Sequence, residues 1–477
     1  MTKLSQRLRP SPASPNLVLV IVCAGVVLAS LDLFIVNVAL AQMAKDFGVQ
    51  GLGGLSWVLN AYAIVYAALL VLFGRLADRY PRKLGFLIGV AVFVAASAAC
   101  AAATSLPMLV GFRVLQAAGA ALLTPTSLGL ILASFPPERR SSAVRTWTAV
   151  GGFAAALGPA VGGVLVDASW RWVFLVNVPI GLAALVAGWR LLPEVPGHPV
   201  RRPDALGALL ITGGVGALTL GLVQGASWGW GGVRTIGVLA LAVAGLALFA
   251  AHTARHGNPL IDRALFRVRP FTGASAVAVL FSMAFGAMLL SRVLWAQEVW
   301  HWSALSTGLS IVPGPIMVPF VSFLVTGRLI DRFGSGVVIA LGSTVFAAGM
   351  VWAAVATGLP SNYVGDVLGS LILTGIGVGL TLPTLMSTAA ASLPPTSFAT
   401  GSAVVNMLRQ VGLAIGVAVF IAVLGSPRSP AAMLAAYQRA WVVTAAIALA
   451  GGVVGLFLLM DRRAAATAPA VAVESMP

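Results

Sequence analysis

Long apolar stretches recur along this chain, each bounded by charge, proline or glycine. They fall near 17–41, 54–73, 84–103, 106–132, 143–166, 173–192, 205–225, 235–252, 271–297, 305–327, 336–357, 364–388, 400–424 and 440–460. Each is close to the roughly 20 residues that cross the hydrocarbon of a bilayer as a helix. Inside lipid a spanning segment must satisfy its own backbone N–H and C=O groups, so the runs predict helices. The expected fold class is an all-α polytopic membrane protein with fourteen spans.

The pattern repeats. GRLADRYPR (74–82) returns as GRLIDRFGS (327–335), and LTPTSLGLILASFPP (123–137) returns as LTLPTLMSTAAASLPP (380–395) with Pro125 matching Pro383. The offsets, 253 and 258 residues, are close to half of the 477-residue chain. Two related six-span halves are a common transporter design, with the binding site at their interface near the midplane. The expected organisation is a tail at 1–16, a six-helix bundle at 17–192, a linker with two extra spans at 193–270, a second bundle at 271–460 and a disordered tail at 461–477.

Composition agrees. Apolar residues make up 59% and charged residues 9% of the chain, far below the quarter or so typical of soluble domains. The net charge of +16 first suggests a nucleic-acid partner, but the basic residues concentrate on alternate short loops. That is the positive-inside bias of a membrane protein, and it places both termini in the cytoplasm. The start of the chain resembles a signal peptide, yet its apolar run is long and contains Asp32 and Asn37, so it reads as a retained first span. The two cysteines, Cys23 and Cys100, lie in apolar spans near opposite faces, which predicts no disulfide. No metal-ligand spacing, Walker motif or nucleophile–His–acid set is evident, so neither an enzyme nor ATP-driven transport is expected.

Charges inside the spans are the candidate chemistry. A carboxylate at the depth of Asp32 is expensive and marks a task. Counting 1.5 Å per residue from the same face puts Asp32 roughly 13 Å deep and Arg113, on the fourth span, roughly 10 Å deep. An ion pair between them would relieve both costs and let one proton change the balance; separate snorkelling is the alternative. In GRLADRYPRK (74–83), read as a loop, Gly74 permits a tight helix exit. Asp78 can meet a helix N-terminus or an arginine, with Arg79 beside it. The motif recurs at Gly327, Asp331 and Arg332. In LGPAVGGV (157–164), Gly158, Gly162 and Gly163 permit close helix contact and Pro159 bends the helix. Arg409 is a second intramembrane cation, with coupling and simple structure as open roles. Arg292 and Glu298 near one end of the ninth span, and Asp366 at the start of the twelfth, are read as an outer gate or an attractor for cations, against an exposed ion cluster. Phe34, Asn37, Tyr62, Tyr66, Gln116 and Gln297 complete the candidate substrate contacts. Trp170, Trp172, Trp228, Trp230, Trp300 and Trp302 near helix ends read as an aromatic belt.

These residues resemble the major facilitator superfamily and, within it, the fourteen-span drug/proton antiporters. LDLFIVNVAL (31–40), GRLADRYPRK, RVLQAAGAALLTP (113–125) and LGPAVGG (157–163) are similar to family motifs, in order; WRWVFLVNVPIG (170–181) and NMLRQVGLAIG (406–416) are also typical. The chain departs at Phe34, often threonine, at Ala41, often proline, at Ala154, often glycine, and at Pro81, usually glycine, which puts loop geometry in question. The resemblance implies a major facilitator fold, with Asp32 as proton carrier and Arg113 coupling protonation to substrate and helix movement. It also implies that Asp78 with Arg79 stabilises one access state. The expected protein is a monomeric exporter in the bacterial inner membrane that exchanges protons for a small amphipathic, hydrophobic or cationic compound, driven by the proton gradient without a cofactor. Export of a self-made antibiotic, siderophore or lipid is the nearest alternative. A nutrient/proton symporter and a non-transporting sensor are more distant ones.

Overall fold

The protein is described from a computed structural model covering residues 14–48, 52–197, 204–257, 259–425, 427 and 429–459. Among the described residues, fourteen helices are long and apolar enough to cross a membrane. They are α1 (Pro15–Asp46), α2 (Leu52–Arg79), α3 (Arg82–Ala101), α4 (Leu106–Ser134), α5 (Pro137–Ala168), α6 (Trp172–Leu191), α7 (Ala205–Trp228), α8 (Val233–Arg255), α9 (Arg269–Val299), α10 (Leu305–Phe333), α11 (Ser335–Ala356), α12 (Tyr363–Ala391), α13 (Phe398–Leu424) and α14 (Pro430–Leu459). An even number of crossings puts both ends of the bundle on one side, the terminal face. The expected tails lie outside the described residues apart from residues 14–16, as does 198–203 of the linker.

Several helices outrun the apolar runs. α2 continues to Arg79 and α5 begins at Pro137, because a helix goes on satisfying its backbone after its side chains turn charged. The segment 74–83 is therefore helix rather than loop, with only Tyr80 and Pro81 between α2 and α3. Pro81 sits at the N-cap of α3 with φ −54°, close to the angle its ring imposes, so proline suits this turn.

Each half repeats the other's packing. α1 packs on α5 as α9 does on α13, α3 on α4 as α11 on α12, and α2 on α4 as α10 on α12. Glycine makes these approaches possible: a Cβ at Gly89 would lie 2.8 Å from the Leu123 nitrogen, and one at Gly377 2.6 Å from the Gly342 oxygen. The halves meet where α2 packs on α13, α4 on α13, and α5 on α10 and α12. α7 lies against α2 and α13, and α8 packs on α7; only 11% of the apolar window of α8 is buried, leaving it to face lipid. π-helical turns at Trp295–Val299, Ser322–Thr326 and Tyr363–Leu368 interrupt α9, α10 and the start of α12.

One aromatic departs from the belt reading. Trp170 is fully buried and its Nε1–H donates to Asp46 at 2.7 Å, which joins the far end of α1 to the start of α6. Trp172 and Trp230 are exposed.

Candidate functional site

Asp32 on α1 and Arg113 on α4 are both fully buried and form an ion pair. The other oxygen of Asp32 accepts from Gln116 Nε2 at 2.8 Å and Asn177 Nδ2 at 3.2 Å. Ser97 Oγ accepts from the same two amides, at 2.6 and 3.2 Å. Arg113 also donates from Nε to the Val58 carbonyl at 2.9 Å and from Nη1 to Gln116 Oε1 at 2.7 Å. Five helices of one half thus share one hydrogen-bond network around this carboxylate. Charge-assisted hydrogen bonds of this kind are among the stronger ones available to a protein, and they repay part of the cost of burying the two charges. One face of the guanidinium rests on the Tyr62 ring, 4.2 Å from its centroid. Arg113 Nη2 is buried with no partner.

A cavity open at its mouth lies between the halves. α1, α2, α4 and α5 wall one side with Ser30, Phe34, Tyr62, Tyr66, Thr124 and Trp147; α9, α10, α12 and α13 wall the other with Phe285, Pro315, Thr374, Asn406, Arg409 and Gln410. Tyr62 and Tyr66 stack at 5.9 Å, and the Tyr66 hydroxyl is 3.1 Å from that of Thr124. Neither Asp32 nor Arg113 lines this cavity. Tyr62 lies over Arg113 and also lines the cavity, so its ring links the ion pair to that space.

The terminal face carries a second constellation. Asp78, fully buried, accepts from the backbone N–H groups of Ala399 and Thr400 at 2.9 and 2.8 Å and from Thr400 Oγ1 at 2.5 Å. These are orphan donors of the first turn of α13, where a negative charge is favoured. Arg82 lies 3.8 Å from Asp78 and donates to the Pro395 carbonyl at 3.1 Å. The close approach depends on Gly74, whose Cβ would fall 2.9 Å from the Ala399 oxygen. Gly74 is mid-helix, so it serves helix contact and not a helix exit. Arg79, half-buried, lies over Tyr80.

The chain matches the sequence pattern of the Major Facilitator Superfamily over residues 22–417. It belongs to that superfamily. It is 34% identical over 412 residues to the tetracenomycin C resistance and export protein of Streptomyces glaucescens, covering 85% of this chain and 74% of the relative. It is 35% identical over 443 residues to the cephamycin export protein CmcT of Amycolatopsis lactamdurans, covering 91% and 90%. Its fold is similar to that of the human organic anion transporter MFSD10 (TETRAN), with TM-score 0.66, 16% identity and coverage of 94% of this chain and all of that one.

In this major facilitator protein the α5 glycines work on two sides. A Cβ at Gly158 would lie 3.0 Å from the Ile35 nitrogen, and one at Gly162 2.8 Å from the Ile35 oxygen, both on α1. Toward the other half, Gly163 faces Leu305, and a Cβ at Gly308 would lie 2.8 Å from the Pro159 oxygen. The second copy of the Asp–Arg motif is open: Asp331 and Arg332 are exposed, and Asp331 faces Arg145 across the half-to-half contact.

The remaining candidates disperse. Gln116 belongs to the ion-pair network. Arg292 is buried, donates to Ser370 and lies beside Trp441, while Asp366 accepts from the Gly358 N–H at 3.3 Å. Gln297 and Glu298 are exposed, and no ion pair among the described residues joins Arg292, Glu298 and Asp366. None of these four lines the cavity. The side chain of Asn37 lies outside what is described. Sequence reasoning did not single out Ser97, Asn177 or Thr400. Ser97 and Asn177 are polar residues in apolar runs, the signal that found Asp32; nothing local marks Thr400 as the partner of a residue in the other half.

Proposed function

We propose that this membrane transporter exports small amphipathic compounds from the bacterial cytoplasm in exchange for protons, without a cofactor, as a monomer with both termini inside. The observation that carries the reading is the contact of Tyr62 with both Arg113 and the cavity. Protonation of Asp32 would remove the charge that holds Arg113. The released guanidinium would bear on Tyr62, and that ring would alter the cavity wall. A substrate pressing on the same ring would act back on the pair. Such reciprocity is what coupling requires.

In this reading the terminal face is cytoplasmic and the Asp78 contacts hold it shut, so the cavity discharges outward. Protonation of Asp32 from outside, breakage of the Asp78 cap and rocking about the α5–α10 contact would reopen it inward, where the proton leaves. Relatives that include a tetracenomycin C resistance and export protein and a cephamycin export protein support export of a self-made or toxic compound equally.

The test is transport in vesicles with an imposed pH gradient, comparing wild type with Asp32→Asn. Dye movement opposite to the protons that is lost in the variant supports antiport. Movement with the protons, or undiminished movement in Asp32→Asn, overturns it.

A further inference from the structure

We infer that the cavity selects amphipathic organic anions: an apolar or aromatic body bearing one carboxylate, sulfonate or similar group that docks on Arg409. This rests on the export reading and narrows its substrate class. Arg409 is the one charged residue among the described residues that line the cavity, and no carboxylate is among them. It stands eleven residues into α13, or roughly 16 Å along the helix axis, well inside the apolar layer.

A cation inside the apolar layer is normally paired, and Arg409 is half-buried and lines the cavity. Arg113 shows the ordinary solution, with Asp32 against it. Arg409 has nothing comparable. Its Nη1 donates to Asn406 Oδ1 at 3.2 Å, its Nε is buried with no partner, and no ion pair among the described residues includes it. The counter-charge is missing from the protein at the place where a substrate sits. A guanidinium offers two parallel N–H groups to a carboxylate or sulfonate, a match that an ammonium or a neutral amide cannot make. The rest of the wall suits an apolar body: Phe34, Tyr62, Trp147 and Phe285 present rings, with Thr374 and Gln410 as neutral polar contacts. A cation entering this space would meet a like charge and no carboxylate.

Three probes sharing one naphthalene body separate charge from shape: 2-naphthalenesulfonate, 2-naphthalenesulfonamide and a naphthylmethyl-trimethylammonium ion. Binding to the purified full-length protein is measured by titration calorimetry. Charge-assisted bonds to one guanidinium predict sulfonate binding at least about tenfold tighter than either other probe. In Arg409→Gln the sulfonate falls to the level of the sulfonamide, and Arg409→Lys, which keeps the charge, restores part of the preference. Equal or tighter binding of the trimethylammonium probe by wild type, or a sulfonate preference that persists in Arg409→Gln, overturns the assignment. The same probes are then followed in vesicles under a pH gradient. Sulfonate that binds with this preference but is not moved overturns the export reading and leaves the anion site standing. Transport of the ammonium probe with the sulfonate excluded leaves export standing and overturns the anion site.

Discussion

Asp78 on α2 caps Thr400 on α13, taking both its backbone N–H at 2.8 Å and its hydroxyl at 2.5 Å. The two residues lie 322 positions apart and belong to different halves of the molecule. One carboxylate therefore holds the two bundles together on the terminal face, and Gly74 supplies the room for it to do so.

Asp78→Asn and Gly74→Ala should both loosen that face, the first by removing the charge on the helix end and the second by forcing the backbones apart. Spin labels at the exposed Tyr80 and Phe333 positions, one per half, would report a shift to longer distances in either variant. Unchanged distance distributions would show that the cap does not hold the face closed.

Arg113→Ala leaves Asp32 buried without its countercharge. Loss of one partner of a buried pair costs about 3–5 kcal/mol, so thermal unfolding should fall markedly in this variant. The double variant Asp32→Asn with Arg113→Gln should recover much of that stability, because neither charge is then stranded, while proton-coupled transport stays lost. Recovery of coupled transport in the double variant would show that the pair is structural only.

Tyr62 lies over Arg113 and lines the cavity, and its hydroxyl reaches the Ala29 carbonyl only at 3.5 Å. Tyr62→Phe should therefore change transport little, whereas Tyr62→Ala should open a route between cavity and carboxylate. A pH-sensitive dye inside vesicles should then report proton leak without substrate in the alanine variant. A proton-tight alanine variant would remove Tyr62 from the coupling path.

Away from the spans, hydrogen bonds from Trp170 and Arg171 hold the carboxyl of Asp46 below the usual aspartate range. A depressed folded value means the contact stabilises above the unfolded value of about 3.9 and is lost as pH falls through the folded one. Asp46→Asn should melt earlier than wild type at neutral pH, and the gap should close in acid below that value. A gap that persists in acid would assign the difference to packing around Trp170 instead.

Much of this was legible beforehand. Every apolar run became a helix, and the two halves repeat their helix pairings, although the second copy of the Asp–Arg motif stays exposed. Asp32 and Arg113 were recognisable as partners because helix rise turns sequence position into depth. Arg409 stood out for the same reason as Asp32, a charge within an apolar run. Gly74 was assigned to a helix exit and proved to be a helix contact, since a glycine looks the same in sequence whether it serves backbone freedom or close approach. The grouping of Arg292, Glu298 and Asp366 rested on shared depth alone; the packing turns Arg292 toward Ser370 and leaves Glu298 exposed.

The number of crossings, the twofold repeat and the few charges that demand a purpose follow from the sequence, because the cost of placing a side chain in hydrocarbon belongs to each residue and its near neighbours. Which face of α1 turns to the cavity, that Tyr62 reaches both Arg113 and the cavity, and that Asp78 finds its partner on α13 were settled only in three dimensions. Helix against helix in a membrane is decided by close packing of small residues and by interhelical hydrogen bonds, and those contacts join positions hundreds of residues apart.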